Sequence, residues 1–153
     1  MIFVASGEND FLCWGKQKSF HDNLRINPIT LIESTYLFCE SARQLFELTE
    51  PKTPPVKLGI SLKNIDDGNK FCGLAPGAVG TLGWNFGNGL SSPPESDFTF
   101  EYLWKDGAIK PELLAALLVR EIYAWYSLEY EKMPYTKSAD GTTIIDIDTL
   151  KSF

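Results

Sequence analysis

The stretch between Pro111 and Pro134 constrains this chain most, because it reads as a helix that cannot stand alone. Proline at the first helical position has no N–H to lose and presets φ, so Pro111-Glu112 marks a start. The pattern then predicts a helix to about Lys132, stopped by Pro134. Between Leu113 and Tyr126 apolar side chains fall on nearly every side, so the helix is expected to be buried between layers or to complete a partner interface. The rest of the chain must supply what covers it.

Asn27-Pro28 predicts a second long helix, to about Thr49, with Asn27 capping an orphan N–H. At 100° per residue, Leu31, Ile32, Thr35, Phe38, Cys39, Ala42, Leu45 and Phe46 form one stripe, expected to face the core. Glu33, Glu40, Arg43, Gln44 and Glu47 fall opposite. Arg43 has ion-pair spacing to both Glu40 and Glu47, worth a few tenths of a kcal/mol per pair.

Val56–Lys63 and Phe98–Trp104 alternate in the period of half-buried strands. Ile2–Ala5 and Phe11–Gln17 read as two short strands around the turn Ser6–Asp10. The turn Ser138–Gly141 leads into a last strand over Thr142–Ile147. The resulting order, β-β-α-β-β-α-β, lacks the regular alternation of a doubly wound fold. It predicts α+β: a mostly antiparallel sheet packed against two long helices, in one domain over 1–153. That domain would also suit an accessory part of a longer polypeptide.

At 153 residues such a domain should bury about two-thirds of its unfolded surface, enough for a core without staples. A hydrophobic fraction of 44% against 22% charged residues lies outside the disordered regime. The net charge is −6 and the basic residues are scattered, which argues against nucleic acid as a partner. Cys13, Cys39 and Cys72 are odd in number and widely spaced, so a reduced, cytoplasmic location is expected rather than a secreted disulfide framework. Met1–Ala5 is apolar but lacks a basic leader, and no stretch is long and apolar enough to span a bilayer.

Phe71–Pro94 contains no charged residue and holds six glycines, with Trp84, Asn85, Phe86 and Asn88 among them. Glycine permits close backbone approach, and long ordered loops often carry function. No Gly-Lys-Ser/Thr ending or dinucleotide fingerprint is present, so phosphate cradling has no support. The aromatic rings and amides could instead meet a small molecule or a partner protein. The competing structural reading is a cover folded onto the sheet.

Glu121 is the candidate general acid or base, since the helix wheel places it among Leu114, Leu117 and Leu128, where desolvation would raise its pKa. Against this stands an ordinary ion pair or an edge position. Arg120 reads as a structural tether. His21 is the lone histidine, and Ser19, His21 and Asp22 are too close in sequence to converge as a triad. On one extended strand Cys13 and His21 would lie about 27 Å apart. Zinc would need all three cysteines plus His21 without a Cys-x-x-Cys pair, so no metal or cofactor is expected. Cys72, beside the glycine-rich segment, is the thiol to watch.

Tyr123, Trp125, Tyr126, Tyr130 and Tyr135 gather at the end of the second helix, where Tyr126 and Tyr130 are candidate partner-binding residues. They would be equally normal at the wet edge of a core. The reading that results is a noncatalytic domain binding a partner protein or small ligand through the uncharged segment, with a homodimer left open. The alternatives are a metal-independent enzyme using Glu121 and an acidic inhibitor.

Overall fold

Asn27 caps a helix as its position predicts: its Oδ1 accepts the Ile29 N–H at 3.0 Å, and α1 (Pro28–Leu48) begins. The computed structural model describes residues 25–48, 55–63, 65, 72–74, 91–105 and 108–151. The expected strands Ile2–Ala5 and Phe11–Gln17 lie outside these. Around the described part of the chain the elements run β1 (Arg25–Ile26), α1, β2 (Val56–Leu62), β3 (Gly73–Leu74), β4 (Phe98–Trp104), α2 (Pro111–Trp125), a 3₁₀ turn (Tyr130–Lys132), β5 (Thr136–Ala139), β6 (Thr142–Ile145) and α3 (Ile147–Leu150). The class is α+β. The described strands form three two-stranded ladders rather than one sheet: β2 with β4 and β5 with β6 antiparallel, β1 with β3 parallel.

Along α1 the core stripe is buried at Leu31, Ile32, Thr35, Cys39 and Ala42 and half-buried at Phe38. Thr35 satisfies its hydroxyl on Leu31 O at 2.7 Å, the usual device of a threonine inside a helix. The stripe was expected to continue through Leu45 and Phe46, yet these are 46% and 37% exposed. The buried part of the stripe therefore ends at Ala42. On the outer face Arg43 grips Glu40 with two nitrogens, at 2.5 and 2.9 Å, and reaches Glu47 at 2.6 Å. Hydrogen bonds from Arg43, then from Gln44, hold the Glu40 carboxyl down at about 2.

β2 and β4 occupy the spans their alternation predicts, apart from Lys63. Their register sets Val56, Leu58, Ile60 and Leu62 opposite Trp104, Tyr102, Phe100 and Phe98, which makes one face of the ribbon wholly apolar. The other face carries Lys57, Ser61, Thr99 and Glu101, with Lys57 and Glu101 paired at 2.6 Å. Phe98 stacks on Trp125 of α2 at a ring separation of 5.1 Å, tying the ribbon to that helix.

α2 touches α1, β4 and β6, which accounts for its apolar residues on several sides. It ends seven residues before the predicted Lys132, and the hydrogen bonds show why. Ser127 N donates to Ala124 O and Leu128 N to Tyr123 O, both at 2.9 Å, with Ser127 at φ 57°. This is a Schellman termination with serine in the left-handed position that glycine usually fills. Ser127→Gly is therefore expected to stabilise the fold by about 0.5–1 kcal/mol, as read from chemical denaturation.

Beyond Pro134 the chain forms a hairpin whose Asp140 and Gly141 have φ 52° and 75°, the left-handed pair of a type I′ turn. The expected turn Ser138–Gly141 is thus half strand. The last strand stops at Ile145 rather than Ile147, because Asp146 begins α3 and accepts the Thr149 hydroxyl at 2.8 Å.

Candidate functional site

Most of the uncharged glycine-rich segment, including Trp84, Asn85, Phe86 and Asn88, lies outside the described residues. Its two ends are described, and they are held together. Leu74 N donates to Ser91 O at 3.0 Å and Ser91 N to Leu74 O at 3.1 Å, a reciprocal antiparallel bridge across residues 75–90. On the approach, Cys72 N donates to Ile65 O at 2.7 Å and Ile65 N to Ser96 O at 3.2 Å. Gly73 and Leu74 pair in parallel with β1, at the entrance to α1. Cys72, Gly73, Leu74 and Pro93 are buried, so this stem is part of the core.

α2 reaches the stem through Tyr126. Its hydroxyl donates to Cys72 O at 2.8 Å, and its carbonyl accepts the Ser91 hydroxyl. The ring is fully buried, with Trp125 packed edge-on at 5.2 Å. Tyr126, a candidate partner-binding residue in the sequence, is buried here, with its polar tip used inside the fold. Nothing in the sequence links Tyr126 to a carbonyl 54 residues earlier.

Tyr130 is 44% exposed and lines a shallow cleft of about 400 Å³ with Arg120, Ala124, Leu128, Glu129 and Glu131. A hydrogen bond with Glu131 is the main cause raising the Tyr130 phenol above its ordinary pKa. Tyr126 and Tyr130, adjacent on the predicted helix, are thus parted into core and surface by the Schellman turn.

Glu121 is half-buried on α2. Its side chain is 30% exposed and its carboxylate accepts from Arg120 at 3.1 Å. The wheel placed Leu128 two turns above Glu121, but α2 ends at Trp125 and Leu128 lies past the turn. The cleft nearest that end is lined by other residues. Arg120, read as a structural tether, is exposed and pairs with Glu121.

Cys39 and Cys72 are both buried, and burial pushes the Cys39 thiol up to about 12, which makes its thiolate inaccessible at neutral pH. Cys13 and His21 lie outside the described residues. Among the described residues no group of three or more His, Cys, Asp or Glu is placed to hold a metal ion, and no helix is long and apolar enough to cross a membrane. One polar group in the core stands apart: the Tyr123 hydroxyl, fully buried, has no hydrogen-bond partner among the described residues. No protein-family model, curated protein or solved structure gives a significant match to this chain.

Proposed function

We propose that this chain is a noncatalytic binding domain in which residues 75–90 recognise a small ligand or a partner protein. The observation that carries the reading is the Leu74–Ser91 bridge, which closes an uncharged, glycine-rich and aromatic segment on a buried stem. Loops whose ends meet on a rigid scaffold are recurrent recognition elements, because the scaffold holds the ends while the tip is free to vary. Trp84 and Phe86 supply apolar contact area, and Asn85 and Asn88 supply donors and acceptors. The net charge of −6, without a basic cluster, favours partners other than nucleic acid. The ion pair of Glu121 with Arg120 weighs against the acid–base alternative. We read the two helices and the β2–β4 ribbon as the supporting layers of a single cytoplasmic domain.

Native mass spectrometry of freshly purified protein, paired with Trp84→Ala, tests the reading. The expected result is an added mass, from a retained small molecule or a protein partner, that Trp84→Ala removes while unfolding free energy shifts by no more than about 0.5 kcal/mol. A protein that carries nothing, with Trp84→Ala destabilised by about 3 kcal/mol or more, would assign the segment to the core and overturn the proposal. A dimer of this chain from which Trp84→Ala releases monomer would name a second copy as the partner.

A further inference from the structure

We infer that Tyr126 is the positioning residue of the glycine-rich segment, clamping both of its ends to the C-terminal cap of α2. The inference rests on the recognition reading for its functional consequence, but its structural content stands on the stem alone.

Two different groups of this one residue act on the two ends. The hydroxyl donates to Cys72 O, two residues before the bridge begins, and the main-chain carbonyl accepts from the Ser91 hydroxyl, within the bridge. The carbonyl is available because the last carbonyls of a helix have no intrahelical partner. The Schellman turn that stops α2 satisfies the oxygens of Tyr123 and Ala124, and leaves that of Tyr126 for Ser91. Termination of the helix and anchoring of the segment are therefore one arrangement.

The clamp is also prearranged from the helix side. Tyr126 N donates to Ile122 O at 3.0 Å, its ring meets Trp125 edge-on, and Trp125 in turn stacks on Phe98 at the start of β4. Moving Tyr126 would disturb α2 and the ribbon together. The stem thus shares the packing of the core next to Leu74 and Ser91, and the hydrogen bonds that Tyr126 makes there resist opening.

Amide hydrogen exchange on Tyr126→Phe, with no ligand present, tests this. Exchange at the Leu74 and Ser91 amides should rise about tenfold relative to wild type, while Val119, in the middle of α2, changes by less than about threefold. Ser91→Ala, which leaves the tyrosine ring untouched, should open the same two amides and spare Val119. In protein labelled with 5-fluorotryptophan, Tyr126→Phe should shift the Trp84 resonance and leave that of Trp104 in place. Equal rises at Leu74, Ser91 and Val119, or no rise at the first two, would reduce Tyr126 to a general contributor to stability and overturn the inference. If the stem opens but the mass bound by the native protein is retained, the clamp stands and the recognition reading of residues 75–90 falls.

Discussion

Leu118→Ala is expected to lower the unfolding free energy by about 2–5 kcal/mol, the largest loss among the substitutions considered. Leu118 is fully buried in α2, the element that touches α1, β4 and β6. Truncating it removes the transfer free energy of three carbons and leaves a cavity that three packed neighbours can only partly fill. For a chain of this size the thermal midpoint should fall by about 10 °C. Urea denaturation should show a lower midpoint with an unchanged slope. A loss below about 1 kcal/mol would mean that α2 is not enclosed at this position.

Tyr123→Phe is expected to act in the opposite direction. Tyr123 and Tyr126 are both fully buried tyrosines of the same helix end, but among the described residues the Tyr126 hydroxyl has a hydrogen-bond partner and that of Tyr123 has none. Burial pushes the Tyr123 phenol well above its ordinary pKa, since nothing there offsets the loss of water. Removing a buried hydroxyl that has no partner among the described residues should raise stability by about 1–2 kcal/mol, whereas removing the partnered one takes a buried hydrogen bond from the Cys72 carbonyl and should cost a similar amount. Two chemically identical substitutions would then differ by about 3 kcal/mol. Calorimetry of the two variants beside wild type checks this. A destabilised Tyr123→Phe would mean that its hydroxyl is hydrogen-bonded in solution.

The parts of this fold legible in the sequence are those set by local chemistry. Asn27-Pro28 and Pro111 locate both helix starts, and the alternation of Phe98–Trp104 marks the observed strand. What was not legible depends on contacts made elsewhere. Nothing local distinguishes Leu45 from Leu31 on the stripe of α1, since burial is decided by contacts distant in sequence. The end of α2 is not legible because serine, not glycine, takes the left-handed position, and it removes Leu128 from the helix face that the sequence pattern gives it beside Glu121. β5 escaped notice because Thr136–Ala139 has no apolar alternation and is defined by its partner strand. Of the candidate site, the unusual composition of Phe71–Pro94 was visible at once, but its stem joins Leu74 to Ser91 and Cys72 to Tyr126, pairings no sequence period encodes.

The Leu74–Ser91 bridge also bears on the length of chain between its two ends. Once the ends of a loop are held, its closure entropy grows only logarithmically, and doubling its length costs about 0.6 kcal/mol. A change in the number of residues between Leu74 and Ser91 therefore carries little closure entropy of its own. On the recognition reading proposed above, such a stretch is where a new specificity would be written.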